Sequence, residues 1–494
     1  MSSPSFSESA EFLRQATRAT LSDTGVLTKG QTVPTSSSSL SCCAAGAPGG
    51  SSINIMPYEN ILWAKRVSED SNDIEITYAT ERGKRLIPAT TVLDIDNEYG
   101  QESADAVVEK IMKKAYPHSK PGMSVLIILN PHGGQGKALN LYLKECKPIL
   151  EAANCRIEVL KTTYHQHAID IGREIDIAKY DMIACCSGDG IPYEIINGLY
   201  QREDRVEAFN KLIVTQLPCG SGNALSISCH GTMEPSYATL SALKSQIVTT
   251  DLMAVTQGEG TDQTTRLSFL SQTYGIIADG DIRTEWMRFM GPVRFDIGVA
   301  IQVFSNSKYP CEIYVKYVAK DKSDLSRFYQ EHSKLQYTHS HTGLDEGDFV
   351  LKCPGLEDPV PSDWEPIDPK LTANLAIFYT GKMPYIAKGT NFFPAALPND
   401  GTMDMVVTDS RTNVLTTAEA LLSLDKGTHV WNSEIQHSKI TAYRIIPHPL
   451  RHTQFSVDGE PFSTQPLQAE VLPAILKTVM KNGSFTETGF SKYV

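Results

Sequence analysis

The sequence predicts an α/β domain built on a mostly parallel sheet, followed by an antiparallel β domain. Three observations carry that expectation. Apolar runs of strand length at 124–129, 156–161, 182–186 and 212–217 alternate with helical patterns of about ten residues. Three of these runs end abruptly in polar, glycine-bearing loops. After about residue 250 the helical patterns thin out, and short strand-like runs with turn-rich connections take their place.

The bulk numbers set limits. The chain has 494 residues, 41% hydrophobic and 21% charged, ordinary values for a protein with a large core. Its formal net charge is -12 and it has no long Lys/Arg block, which argues against nucleic acid as the main partner. The ten cysteines show neither CxxC nor zinc-ligand spacing, and no N-terminal secretory signal is evident. These features predict a reducing, cytoplasmic setting. No apolar run approaches the ~18 residues of a membrane-spanning helix, so any membrane contact is expected to be peripheral.

Taken in order, residues 1–55 are rich in Ser, Thr, Gly and Ala and read as a largely disordered tail. Cys42 and Cys43 within it are either S-acylation sites or two free thiols in a linker. Residues 56–120 read as a small β-rich module, closing with a helix from Ser103 to Tyr116. Residues 121–250 form the expected α/β domain. Its first strand, 124–129, runs into Asn130-Pro131-His132-Gly133-Gly134-Gln135-Gly136, and the next helix carries Leu139, Leu143, Cys146 and Leu150 on one face.

The strand at 156–161 leads through Thr162, Thr163, Tyr164, His165 and Gln166 to a helix over 168–177. The strand at 182–186 leads into Ser187-Gly188-Asp189-Gly190. Pro192 lies near the first turn of the following helix, and Ile191, Ile195 and Leu199 share one of its faces. The strand at 212–217 ends in Gly220-Ser221-Gly222-Asn223-Ala224-Leu225. Residues 251–485 are expected to form a two-layer β-sandwich domain. Its strands fall at 267–272, 312–317, 374–379, 403–408, 440–446 and 455–457, with a helix over 413–426. The polar stretch 321–368 reads as a mobile insertion.

Ligands on parallel sheets bind at the carboxyl ends of the strands. All the glycine loops fall on that edge, so they converge on one site. Strand, glycine loop and helix together present backbone N–H groups to an anion. Neither common phosphate fingerprint is met: Gly136-Lys137 is followed by Ala138, and Gly188-x-Gly190 and Gly220-x-Gly222 each lack a third glycine. Asp189 stands at a loop tip among glycines, where packing alone explains a carboxylate poorly. It is the expected catalytic base.

Together these motifs resemble the catalytic fold shared by diacylglycerol and sphingosine kinases. The resemblance continues through Gly275-Ile276-Ile277-Ala278-Asp279-Gly280-Asp281, through Glu285-x-x-Arg288-x-x-Gly291-x-x-Arg294-Phe295, and to Asp458-Gly459-Glu460. It covers most of 120–480 and looks most like the sphingoid long-chain base kinases, the fungal members above all. The resemblance implies a Rossmann-like nucleotide domain, a β domain that takes the lipid, and an ATP site in the cleft between them.

By position it implies that ATP meets Asn130, Pro131 and His132, then Thr162 to Gln166, Glu194, and Gly220, Ser221 and Gly222. From the second domain come Arg288, Arg294, Asp458, Gly459 and Glu460. Mg²⁺ accompanies the nucleotide. The lipid is placed against Ser187, Gly188, Asp189 and Gly190, with Asp189 taking the proton of its primary hydroxyl. Asp281 matches the position that recognises a sphingoid ammonium, a group that diacylglycerol and ceramide lack. His132, Tyr164 and His165 depart from the pattern, standing where several members carry arginine.

Plainer roles exist for some of these residues: surface salt bridges for the two arginines, charge at a helix N-terminus for Glu194, a turn for Asp281. Phe289, Phe295, Ile297 and Val303 are candidates either for a lipid channel or for the core. The expected function is an ATP-dependent kinase of sphingoid bases. A diacylglycerol or ceramide kinase is the alternative within the fold, and a silent binding scaffold the alternative outside it.

Overall fold

The structure, a computed structural model, describes residues 17–29, 53–95, 103–283, 307–334, 343–448 and 453–494. Cys42, Cys43, Arg288 and Arg294 lie outside the described residues, as do the channel candidates Phe289, Phe295, Ile297 and Val303.

The β-rich module begins earlier than its composition suggests. Strands β1 (Thr17–Leu21), β2 (Gly25–Lys29), β3 (Ile53–Pro57), β4 (Ile61–Arg66), β5 (Ile74–Arg82) and β6 (Arg85–Ile95) form one sheet in the order β3-β2-β1-β6-β5-β4. Two of these strands lie wholly within the stretch expected to be disordered. The β1–β2 turn is held by Ser22, whose hydroxyl accepts the N–H of Gly25 at 3.0 Å and donates to its carbonyl at 2.7 Å. Ala19 and Val26 are buried with Ile74, Ile76 and Leu93, and that burial pairs the strands despite their polar neighbours. The helix Ala104–Ala115, capped by Ser103, lays Val107 and Ile111 on the same core.

The α/β domain follows the expected alternation. Strands β7 (Ser124–Leu129), β8 (Arg156–Lys161), β9 (Met182–Ser187) and β10 (Ile213–Pro218) are all parallel, in the order β10-β9-β7-β8. The chain steps from β7 to β8 on one side, then crosses to β9 on the other. That reversal opens a crevice beyond the carboxyl ends of β7 and β9.

The first helix corrects the expected face. A π turn, Tyr142–Cys146, separates Ala138–Leu141 from Lys147–Ala152. The wider turn rotates the register, so Tyr142 is buried and Leu143 is 48% exposed. The helix Gly190–Tyr200 also departs from a one-faced pattern. Every residue from Ile191 to Leu199 is buried, because the second domain covers its outer side. There the Asn197 side chain acts like a strand residue, donating to Leu267 O at 2.8 Å and accepting from Leu267 N at 2.9 Å.

The second domain is a curled antiparallel sheet. Its strands are β11 (Gln246–Gln257), β12 (Thr264–Ser268), β13 (Ser271–Gly275), β14 (Cys311–Ala319) and β15 (Glu365–Pro366), then β16 (Leu375–Gly381). The small hairpin β17 (Tyr385–Ala387) and β18 (Thr390–Asn391) stands apart. After it come β19 (Met403–Asp409), β20 (Ile435–Pro447), β21 (Phe455–Val457), β22 (Glu460–Phe462) and β23 (Leu467–Met480). The main path runs β12-β11-β23-β20-β19-β16-β13-β21-β22, with β14 branching from β20. Residues from nearly all of these strands share one hydrophobic core with the helices of the α/β domain.

The polar stretch 321–368 is in large part fixed rather than mobile. Lys322–His332 is a helix. Further on, buried groups of the sheet hold the backbone. Arg444 donates to the carbonyls of Gly355 and Asp358 at 2.8 and 2.7 Å, and Glu470 accepts from Lys352 N at 2.9 Å. Phe349 and Trp364 are buried. A polar composition is compatible with order here because the partners lie elsewhere in the chain.

Candidate active site

Three loops meet at the crevice. Asn130, at the end of β7, accepts the N–H of His132 on its side chain at 2.9 Å and that of Gly133 on its carbonyl at 3.0 Å. The turn presses so close to the next loop that a Cβ on Gly133 would come 2.9 Å from Ser187 Oγ. A Cβ on Gly220 would fall 2.1 Å from the backbone nitrogen of Gly188, a contact only glycine permits. Asn223 stiffens this last loop, accepting from Gly220 N at 3.2 Å and donating to Gly220 O at 2.9 Å.

Asp189 sits where the loops join, half-buried at the N-terminus of the helix Gly190–Tyr200. Its two oxygens are not equivalent. Oδ1 accepts from Gln216 Nε2 at 3.1 Å and from Ala224 N at 2.8 Å. Oδ2 packs against Gly222, where a Cβ would stand only 2.7 Å away. Burial pushes the carboxyl up to about 6, against the pull of Gln216 and the N–H groups of Ala224 and Leu225. Oδ1 is thus anchored by Gln216 and Ala224, while Oδ2 lies against Gly222.

Gln216 was not singled out from the sequence. It is fully buried on β10, and its amide is spent on the site: Nε2 toward Asp189 and Oε1 accepting from Ser226 N at 2.9 Å. Two adjacent polar residues, Thr215 and Gln216, in a mostly apolar strand were the available signal.

Glu194 is buried one helical turn beyond Asp189. Its Oε2 accepts the N–H of Ala168 at 2.9 Å, so it caps the helix His167–Glu174 and fixes the preceding loop. Burial raises its carboxyl to about 7, and the charge of Glu460 adds to the rise. In that loop Thr162 is buried, Thr163 N donates to His167 Nδ1 at 3.1 Å, and Gln166 takes a left-handed conformation at φ 65°. Tyr164 is 57% exposed and stacks on His167.

Residues of the second domain face this group. Tyr193 lies within electrostatic reach of Asp458, Arg266 and Glu460. Asp458 holds a turn: Oδ1 accepts from Ser268 Oγ, Leu270 N and Ser271 N at 2.6, 3.1 and 2.8 Å, and Oδ2 from Phe269 N at 2.9 Å. With its φ at 51°, it fixes the break between β12 and β13 and carries Gly459 and Glu460 toward Glu194. Arg266, on β12, is a further cation near the site, and no motif in the sequence marks it.

Asp281 falls in the last turn of the helix Ile276–Arg283. Ile276, which opens that helix, lines an apolar cavity with Ile377, Phe392, Val406, Ala420 and Leu421. The helix Val414–Leu422 contributes to its wall. No helix among the described residues is long and apolar enough to cross a membrane.

Comparison with known proteins agrees with this fold. Residues 124–255 match the diacylglycerol kinase catalytic domain, and 368–480 match the YegS C-terminal NAD kinase beta sandwich-like domain. Residues 11–117 match a domain family of unknown function. The chain is 46% identical over 471 residues to sphingoid long chain base kinase 5 of Saccharomyces cerevisiae, covering 84% of this chain and 68% of that one. Sphingoid long chain base kinase 4 of Schizosaccharomyces pombe is 31% identical, covering 87% and 89%. Human sphingosine kinase 1 is 27% identical, covering 71% and 88%. A solved Bacillus anthracis protein described as a candidate diacylglycerol kinase shares the fold, with TM-score 0.51 at 16% identity over 74% of this chain and 97% of that one.

Proposed function

The chain belongs to the sphingoid long-chain base kinase family, and we propose that it transfers the terminal phosphoryl group of ATP to the primary hydroxyl of a sphingoid base. The observation that carries the mechanism is the placing of Asp189 where the glycine loops join, with Oδ1 held by Gln216 and Ala224 and Oδ2 beside Gly222. A carboxyl raised to about 6 is mostly ionised at neutral pH yet basic enough to take a proton in the transition state.

The nucleotide site is assigned to Asn130, Pro131 and His132, Thr162 to Gln166, Glu194, and Gly220 to Gly222, with Arg288 and Arg294 from the second domain. The glycine backbones that meet at the crevice leave no room for side chains and suit close approach of phosphates. ATP, with Mg²⁺, supplies the phosphoryl group and the means of neutralising its charge. Glu194 holds the 162–168 loop in place through Ala168 N. Asp458 acts by positioning Glu460, its own oxygens being engaged by the β12–β13 turn.

The lipid head is assigned to the loop Ser187 to Gly190 and to Asp281, whose carboxylate pairs with the ammonium beside the reacting hydroxyl. The apolar cavity that begins at Ile276 takes the chain of the lipid. Delivery from a bilayer makes the membrane contact peripheral.

The test is transfer from labelled ATP with Mg²⁺ to sphingosine, ceramide and diacylglycerol in parallel. Sphingosine is expected to be phosphorylated far faster than the other two; preference for diacylglycerol overturns the assignment. Asp281→Asn is expected to weaken sphingoid-base use selectively, and unchanged selectivity removes Asp281 as the ammonium partner.

A further inference from the structure

Behind the catalytic loops, in the apolar core, lie three cysteines that sequence spacing does not connect. Cys146 closes the π turn Tyr142–Cys146; Cys186 precedes Ser187-Gly188-Asp189; Cys219 precedes Gly220-Ser221-Gly222. All three are fully buried, and their sulfurs lie within 4.8 Å of one another, Cys186 and Cys219 at 3.9 Å. The surrounding core is aliphatic, with Leu129, Ala138 and Leu217 among its members.

A second observation points into this cluster. The hydroxyl of Tyr142, 2% exposed, has no hydrogen-bond partner among the described residues, although Cys146 and Cys186 lie within its electrostatic reach. An unpaired buried hydroxyl is destabilising and calls for an acceptor. A metal-bound thiolate is such an acceptor, and a neutral thiol is a weak one.

We propose that Cys146, Cys186 and Cys219 bind one soft d¹⁰ cation, Zn²⁺ or Cu⁺, and thereby clamp the roots of the two catalytic glycine loops to the helix behind them. Metal–sulfur bonds of about 2.3 Å place tetrahedral sulfurs about 3.8 Å apart, so the three side chains close on an ion with small rotations. An all-sulfur set with no carboxylate or imidazole selects thiophilic ions over Mg²⁺. Binding forms metal–sulfur bonds as thiol protons leave to solvent, with no change of oxidation state. The Tyr142 hydroxyl then donates to a bound sulfur.

Because the sulfurs are buried, the ion enters during folding or through local opening of the helix. The cluster is distinct from the Mg²⁺ that accompanies the nucleotide, and it sits beneath the loops rather than in the crevice.

The experiment uses the full chain, reduced and stripped of metal, titrated separately with Zn²⁺ (with Cd²⁺ as a spectroscopic stand-in) and with Cu⁺ under anaerobic conditions. One ion per chain, a sulfur-to-metal charge-transfer band and a raised Tm are expected in at least one arm, and the arm that responds identifies the ion. Cys146→Ala, on the helix and outside both loops, is expected to weaken binding at least 100-fold. Tyr142→Phe is expected to lower affinity while keeping the stoichiometry. The pair Cys42→Ser and Cys43→Ser is expected to change nothing. A folded, kinase-active wild type that takes up neither ion overturns the proposal. So does a band that survives Cys146→Ala or disappears with Cys42 and Cys43. Circular dichroism of Cys146→Ala separates loss of the site from loss of the fold.

Discussion

Gln216 Nε2 donates to Asp189 Oδ1 at 3.1 Å, and the same side chain accepts from Ser226 N, so a single buried amide fixes the carboxylate proposed as the base to the neighbouring helix. Removing it frees the carboxylate to rotate and withdraws one donor that favours its ionised form. Gln216→Leu is expected to lower kcat by about 10–100-fold, within the range that misplaced catalytic groups show. KM for ATP is expected to hold. The acidic limb of the pH–rate profile moves upward, a change that a purely structural loss does not produce. A profile unmoved from wild type shows that Gln216 does not tune Asp189.

Asp189→Asn keeps the shape of the loop and removes the proposed base. Turnover is expected to fall by at least ~10²–10⁴-fold, the usual contribution of a positioned base. Binding of a non-hydrolysable ATP analogue, read by Tm shift, is expected to persist. Wild-type turnover in this variant assigns the proton to another group.

The carboxyl of Asp189, raised to about 6 by burial, sets the direction of the pH dependence. As a base it works ionised, so kcat/KM is expected to be low at pH 5, to rise through about 6, and to level off above about 7. A profile flat between pH 5 and 7.5 excludes a base with this environment.

Gly222 tests the opposite oxygen. A Cβ there stands 2.7 Å from Asp189 Oδ2, whereas one on Gly220 strikes the Gly188 backbone at 2.1 Å. Gly222→Ala is therefore expected to fold with nearly unchanged Tm and to lose kcat, because the methyl group displaces the Asp189 side chain while the backbone stays in place. Gly220→Ala is expected to lower Tm as well, since backbone must move. Equal effects on Tm from the two substitutions contradict this difference between a side-chain and a backbone contact.

The strands and loops of the α/β domain were legible because each apolar run stops at glycine, a local signal. The failures have distant causes. Helical spacing places Leu143 inward because nothing local announces the π turn that buries Tyr142 instead. The run at 267–272 was read as one strand. It is broken at Phe269 and Leu270 by Asp458, which binds both N–H groups from far along the chain.

Strands β11 and β23, which pair along nearly their whole length, escaped notice. β11 carries Asp251 and several threonines, and β23 carries Pro473, polar content that masked two long buried strands. Within the site, the loops could be read from motif, but Gln216 and Arg266 could not. Their roles depend on which strand neighbours which.

His230 gives a prediction on stability with a definite sign. It is buried between Thr215 and Ser241, whose hydroxyls lie 3.1 and 3.0 Å from its two ring nitrogens, and burial lowers it to about 4. The folded state therefore holds the neutral ring while the unfolded chain protonates near 6.5. Its contribution is fully present above about 6.5 and is lost as pH falls toward 4. The loss amounts to about 3 kcal/mol at one pKa unit per 1.36 kcal/mol. Asp189, Asp458 and Glu194 oppose it: burial raises them to about 6, 6 and 7, so acidification favours the folded state at those positions. Their opposition makes the whole-protein curve ambiguous, and the comparison with His230→Gln resolves it. Urea unfolding at pH 7.5 and pH 5 is expected to show a larger loss of stability in wild type than in the variant. A variant that loses as much as wild type places the acid sensitivity elsewhere.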